Sequence, residues 1–416
     1  MRIALITAQC PVAAHAAGGQ FDQPATLARA LAAHGHRVAV YTRRQGTSHP
    51  RSTILGRGVS IEEVAAGPAR PLAAEQAARH MPELAGYLAD RWRAKPPDVV
   101  HAFSWVGGLA ALGAVRGSGV PVLQTFESLG FAERPYAANG EVSVARLKME
   151  SCIARAVDAV LAHSSDEATD LARLAVPKSA IRVVPCGVDT GLFNPEGSRA
   201  ARGSRFRLLA VAAGGDPRGL SAVVRALPQL PDTELVIIGG PASRHLPRTG
   251  GWRELAQLAG ALRVRSRIIF TGEVAQADRP ALLRSADLLV SASPVEHTGA
   301  AAIQAMACGT PVVVAGVGAH NDAVVDGVTG LLIAPEDPAT LAHRVRALLA
   351  RPVFLEALGV AAADRARSRY CVDRISRETV ASYEWCRRGR TATPAAGDAD
   401  EADYSAAELR GVAAFG

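Results

Sequence analysis

The sequence predicts an α/β protein with two doubly wound parallel-sheet domains facing a cleft. Three observations carry that expectation. At 416 residues the chain exceeds what one ordinary core organises. Short apolar runs bounded by turn residues alternate with helical patterns, the rhythm of parallel strands covered on both faces. A polar stretch rich in Pro and Gly, from Phe193-Asn194-Pro195-Glu196-Gly197-Ser198 to Gly203-Ser204, interrupts that rhythm near the middle and reads as a linker.

Taken in order, Arg2 to Thr7 reads as a first buried strand, followed by a loop ending at Gly18-Gly19. Pro24 sits where an early helical turn tolerates it, opening a helix through Leu27, Leu31 and Ala32 that stops at Gly35. Further strands are expected over 37–42, 59–64, 98–102, 120–125 and 159–162, with helices over 106–115 and 144–156. A second series follows the linker, with strands over 207–211, 234–238, 267–270, 287–290, 311–314 and 331–333. Helices are expected over 339–350, 353–368 and 373–387. The division is therefore a first domain over 1–193, a linker over 194–204 and a second domain over 205–372. A helix over 373–387 and a tail over 388–416, low in large apolar residues, complete it.

Composition narrows the function classes. Hydrophobic residues make up 49%, yet no apolar run reaches the length of a spanning helix. The apolar run at the start is too short for the core of a signal peptide, which predicts a cytoplasmic protein. Six scattered cysteines, Cys10, Cys152, Cys186, Cys308, Cys371 and Cys386, include no CxxC pair and suit reduced thiols rather than a zinc site. Net charge is +7, but only Lys95, Lys148 and Lys178 are lysines, an arginine bias that suits a GC-rich genome. No dense basic run with interleaved aromatics appears, which argues against nucleic acid as a partner; weak association with a membrane surface stays open. Nothing in the pattern marks an oligomeric state. No GxGxxG follows the first strand and no P-loop is present, against a dinucleotide oxidoreductase or an NTPase.

The strongest motif runs from Pro294-Val295-Glu296-His297-Thr298-Gly299 through Ala300-Ala301-Ala302-Ile303-Gln304 to Ala305-Met306-Ala307-Cys308-Gly309-Thr310-Pro311. A Gly-containing loop opens a helix there, aiming N–H groups at the cleft, and such an end suits a diphosphate. Glu296 just before it can accept from sugar hydroxyls, and Gly18-Gly19 lets the opposing backbone approach closely. The only Asp-x-Asp, Asp398-Ala399-Asp400, falls in the tail, so the sequence offers no credible acidic metal-binding pair. For Trp105 a core role is preferred, for Cys308 a buried thiol. His320 reads equally well as a cap of the short helix after its strand or as a ligand contact.

This motif resembles the donor site of family 4 glycosyltransferases. So do, in order, Gly18-Gly19-Gln20, Val99-Val100-His101 with Trp105, Val184-Pro185-Cys186-Gly187-Val188-Asp189 and the run from Gly318 to Leu332. The resemblance spans Met1 to about Arg387. It implies the GT-B architecture, two Rossmann-like domains, with the final helix returning to the first. It also implies transfer of a sugar from a nucleotide-diphosphate donor to a hydroxyl, with retention and without metal or other cofactor.

Several polar positions depart from that family's pattern. Its usual Arg falls on Ala213 and its Lys on Arg218, two cations that would neutralise the leaving diphosphate, and Asp216 adds a like charge. Losing one such donor typically costs ~3 kcal/mol in the transition state. The second glutamate is Gln304, a weaker acceptor toward ribose. The His-x-His ends in Phe103, an apolar wall where the family meets an outer sugar hydroxyl, or a residue filling core space under Trp105. Glu127 replaces a histidine on the acceptor side. Arg218 and Glu296 remain the catalytic candidates, with Gly18, Gly19, Phe103, Ala213, Gly299, Ala300 and Gln304 on the donor. Two readings follow: an active enzyme with altered donor or acceptor, or a weakly catalytic relative that binds nucleotide and regulates or scaffolds. An epimerase or phosphorylase fits the motif order least.

Overall fold

The computed structural model describes residues 1–7, 23–47, 50–136, 142–212, 217, 219–242 and 250–392. Strands β1 (Arg2–Thr7), β2 (Arg37–Arg43), β3 (Ser52–Gly56), β4 (Val59–Val64), β5 (Val99–Phe103), β6 (Val122–Thr125), β7 (Ala159–Ala162) and β8 (Ile181–Val183) form one sheet. Its order is β3-β4-β2-β1-β5-β6-β7-β8. A separate sheet holds β9 (Phe206–Val211), β10 (Thr233–Ile238), β11 (Ile268–Gly272), β12 (Leu288–Ser291), β13 (Val312–Ala315) and β14 (Leu331–Ile333). Its order is β11-β10-β9-β12-β13-β14. These are two doubly wound α/β sheets of the Rossmann-like kind, as expected.

Apart from edge strand β3 the strands pair in parallel with helices covering both faces, and most read as apolar runs rather than alternations. All of β5 is buried, and β1 matches it from Ile3 against Val99 to Thr7 against Phe103. One face of the first sheet packs Ile3, Leu5, Val38 and Val40 together with Phe103, Leu123 and Tyr383. The other packs Ala4, Ile6 and Val100 against Leu84, Leu88, Trp92 and Trp105. Phe103 and Trp105 thus lie in cores on opposite faces, so Phe103 does not fill space under Trp105. The core role preferred for Trp105 stands, with the residue 6% exposed.

Several local features differ from expectation, among them the helix Ser165–Arg173 and strand β8, neither of which the sequence predicts. Strand β3 pairs antiparallel with β4 and left little trace, since Ile54 points to solvent (80% exposed) and the strand buries no full face. The helices Ala74–Ala78 and Met81–Arg93 were not assigned, although Met81, Leu84, Leu88 and Trp92 mark a buried stripe on the second. The last helix spans Val372–Ala392, beyond the expected 373–387, and takes in the start of the expected tail. It crosses from the second domain beside Val188, whose N–H donates to the Tyr370 carbonyl at 2.8 Å while its carbonyl accepts from Val372 N–H at 2.8 Å. Among the described residues no helix is long and apolar enough to cross a membrane.

In each sheet the chain reverses strand order once, between β1 and β5 and between β9 and β12. Ligand crevices form outside the carboxyl ends of strands at such switch points. Among the described residues singled out by sequence, Phe103 ends β5, and Glu296, Gly299 and Ala300 follow β12.

Candidate functional site

On the second domain, β12 ends at Ser291 and a loop leads to the Ala300–Ala307 helix. Gly299 occupies its N-cap with φ 65°, a left-handed conformation for which glycine is suited. The Glu296 carboxylate turns back onto this end: Oε1 accepts from the Gly299 N–H at 2.8 Å and from the Thr298 N–H at 3.2 Å. The Ala300 N–H is directed at Thr298 Oγ1, 3.3 Å away. The Thr298, Gly299 and Ala300 amides are thus engaged within the loop, with the protein's own carboxylate lying against the two just ahead of the helix.

A second loop holds Glu296 in place. Ala319 N–H donates to the Glu296 carbonyl at 3.3 Å, and a Cβ on Gly318 would lie 1.7 Å from that oxygen, so only glycine fits. His320, 1% exposed, donates through Nδ1 to the Ala315 carbonyl at 3.1 Å and places Nε2 3.7 Å from Glu296 Oε2. It therefore packs behind the glutamate at a distance too long for a hydrogen bond. Ala300 and Gln304, one turn apart, share the helix face that lines the cleft.

The first domain supplies a different wall. His101, on β5, is fully enclosed: its Nε2 lies 2.9 Å from Thr125 Oγ1 and its Nδ1 2.8 Å from the Tyr383 hydroxyl. Thr125 donates its own proton towards the Leu161 carbonyl at 3.4 Å, so it accepts from His101 Nε2–H, and Nδ1 accepts from Tyr383. Burial, assisted by neighbouring His163, pushes the His101 ring down to about 3. Phe103 stacks on His101 with ring centres 4.3 Å apart. Phe103, His101, Thr125 and His163 line one cleft with Ala300 and Gln304 of the other domain.

Glu127 follows β6 with φ 56°, and Ser104 follows β5 with φ 58°, left-handed positions uncommon for residues with a side chain. The Gln124 amide donates to the carbonyls of both Ser104 (2.9 Å) and Thr125 (2.8 Å), which holds these two strand ends together. Burial pushes the Cys186 thiol up to about 12, and the charges of Glu296 and Glu127 add to that rise. The Cys308 thiol is likewise pushed to about 12 by burial, consistent with a core role.

Polar contacts close one side of the cleft. Ser165 N–H donates to Asp322 Oδ2 at 2.6 Å, Asn321 Nδ2 donates to Asp166 Oδ2 at 2.9 Å, and His297 Nε2 lies 3.2 Å from Glu133 Oε1. Burial would raise the Glu133 carboxyl, but His297 and Arg146 outweigh it and hold it at about 2. Sequence reasoning did not find these contacts, nor His163, nor the His101 network. His101 and Tyr383 are 282 positions apart, a pairing no local pattern encodes. The return of Glu296 onto Gly299 was legible, because a carboxylate three residues ahead of an N–H at a helix start is a capping spacing. Gly18, Gly19, Ala213 and Arg218 lie outside the described residues.

Residues 17–192 match the family described as Glycosyltransferase Family 4, and residues 198–365 match Glycosyl transferases group 1. A D-inositol 3-phosphate glycosyltransferase of Acidothermus cellulolyticus is 32% identical over 354 residues, 80% of this chain and 78% of the relative. Among solved structures, a sucrose-phosphate synthase from Thermosynechococcus elongatus superposes with a TM-score of 0.83 at 25% identity, covering 94% of this chain and all of that one. Anabaena HepE, solved with UDP and glucose, shares the fold with a TM-score of 0.71 at 18% identity, over 92% of this chain and 99% of that one. With motifs, sheet order and relatives in agreement, the chain belongs to the family 4 glycosyltransferases of GT-B architecture.

Proposed function

We propose that this glycosyltransferase moves a sugar from a nucleotide-diphosphate donor to a hydroxyl acceptor with retention of configuration, and without a metal. The observation that carries the reading is Glu296, held by the Gly299 and Thr298 N–H groups at the second domain's switch point. The relatives support it by name, and UDP accompanies a fold neighbour. Gln304 and Ala300 present a helix face to the nucleotide, Arg218 pairs with the leaving diphosphate, and Glu296 accepts from hydroxyls of the transferred sugar. The acceptor hydroxyl attacks the anomeric carbon from the side the nucleotide leaves. The departing phosphate oxygen takes its proton, so no separate base is needed. Glu127 stands on the acceptor side.

Titration calorimetry with UDP, GDP and ADP, with and without a chelator, tests this directly. One of them should bind; no binding by any overturns the reading, and binding lost with chelator overturns its metal-free part. Arg218→Ala should weaken binding by about 1.5–3 kcal/mol, the worth of a charge-assisted phosphate contact. Where the family carries a second cation this chain has Ala213. Ala213→Arg should raise turnover about tenfold, about 1.4 kcal/mol, with little change in affinity, since the new charge acts on the leaving group. A replacement that lowers turnover means another cation already serves. Nucleotide binding without turnover in either form would instead identify a binding protein.

A further inference from the structure

His163 lies just past β7 on the cleft wall, beside Val184, Cys186 and Phe103, and the proposed reaction gives it no task. Two bonds fix it. Its peptide N–H donates to Glu167 Oε2 at 2.7 Å, and its ring Nδ1 lies 3.3 Å from the Val184 carbonyl oxygen. A carbonyl only accepts, so Nδ1 carries the ring proton and Nε2 presents a lone pair. That Nε2 is buried without a partner, in a residue only 7% exposed. Native proteins seldom leave such an acceptor unpaired without a reason. His101 makes the contrast, since the same cleft gives both its ring nitrogens partners.

We propose that His163 Nε2 accepts a hydrogen bond from a hydroxyl of the glycosyl substrate in the cleft, and so selects substrates that carry this hydroxyl. The inference rests on the glycosyl-transfer reading. The chemistry around it is that of hydroxyl recognition: Thr125, Thr379, Gln276 and Gln304 line the same cleft with neutral polar groups. Burial pushes the His163 ring down to about 4, against the pull of the Val184 carbonyl. The lone pair is therefore available at any ordinary pH.

The test compares the parent protein with His163→Phe, which keeps a ring but removes the lone pair, and His163→Asn, which restores an acceptor. Binding of UDP, GDP and ADP is measured beside UDP-glucose, GDP-mannose and ADP-glucose. If the hydroxyl belongs to the donor, His163→Phe binds the nucleotide as the parent does but the nucleotide sugar about tenfold more weakly, and His163→Asn regains most of that. If it belongs to the acceptor, donor binding holds while the acceptor KM rises about tenfold in His163→Phe and recovers in His163→Asn. Unchanged donor binding and acceptor KM overturn the proposal. Should His163→Phe not fold, His163→Asn and single-deoxy donors or acceptors on the parent keep it open to refutation: no deoxy analogue weaker than its parent sugar overturns it. A parent that binds no nucleotide overturns the glycosyl-transfer reading instead.

Discussion

The two walls of the cleft are built on opposite plans. On the second domain the functional groups lie within a few residues of one helix start, and Glu296 satisfies the backbone amides beside it. On the first domain they come from separate strand ends and from the chain's last helix, and they are enclosed neutral groups: His101, His163, Thr125 and Tyr383. The second wall thus carries a carboxylate held by backbone amides, while the enclosed groups of the first offer hydrogen bonds from neutral side chains, with Glu127 following the neighbouring strand. Because the two walls are built from such different groups, substitutions on them should fail differently.

The largest effect is expected from Glu296→Ala. Turnover should fall about a hundredfold or more, the usual loss when one preorganised polar partner of a transition state is removed. Binding of the nucleoside diphosphate alone should hold or tighten, because the Gly299 and Thr298 amides are released to an incoming phosphate. Calorimetry beside steady-state kinetics separates the two. Nucleotide binding weakened in step with turnover would show that Glu296 props up the helix end rather than competing for it.

Acid should act mainly on the first wall. Both histidines are held below the ordinary value of 6.5, at about 3 and about 4, so the unfolded chain binds their protons first as pH falls. Their stabilising contribution is complete above about pH 6.5 and is lost as pH falls from there through about 4 for His163 and about 3 for His101. Glu167 runs the other way: burial pushes it up to about 7, so its contribution is present below 4.5 and fades as pH rises. Two groups against one leave a net loss on the order of 3 kcal/mol between pH 7 and pH 4. Thermal unfolding across that range should show a falling midpoint; a flat profile would mean the rings are not enclosed as described.

Tyr383→Phe probes the same wall more gently. It removes the proton that His101 Nδ1 accepts and leaves that nitrogen buried and bare, at a cost of about 1–3 kcal/mol. Chemical denaturation should report that loss, and His101→Leu with Tyr383→Phe should cost less than the sum of the single changes.

How much of this was legible follows from the same contrast. The sheets announced themselves through buried apolar strands such as Val99–Phe103, and the second wall through the nine residues from Glu296 to Gln304, whose order is set by a turn and one helical repeat. Even there the Glu296 carboxylate was read only as a sugar ligand, and the amides it occupies as bare. The first wall was hidden because its partners are joined by the fold alone. Phe103 drew attention as a missing hydrogen-bonding group, whereas the unpaired acceptor nearby belongs to His163, which stands 60 positions later in the sequence. Edge strand β3 was missed because Ile54 gains little from burial.

The smallest expected effect concerns what holds the two walls at their present distance. Ser165 with Asp322, Asp166 with Asn321, and Glu133 with His297 join the domains on one side of the cleft. These groups keep substantial contact with solvent, and such pairs contribute about 0.2–1 kcal/mol each, less at high salt. Asn321→Ala should therefore leave the unfolding midpoint nearly unchanged, since each domain keeps its own core. The spacing between domains should respond instead, because little else on that side opposes opening. Small-angle X-ray scattering of Asn321→Ala combined with Glu133→Gln should show a larger radius of gyration than the parent, the gap narrowing when a nucleotide sugar binds. A variant as compact as the parent at both low and high salt would show that the returning helix, through Tyr383 and Val188, sets the spacing by itself. The polar contacts would then only decorate a cleft held from the other side.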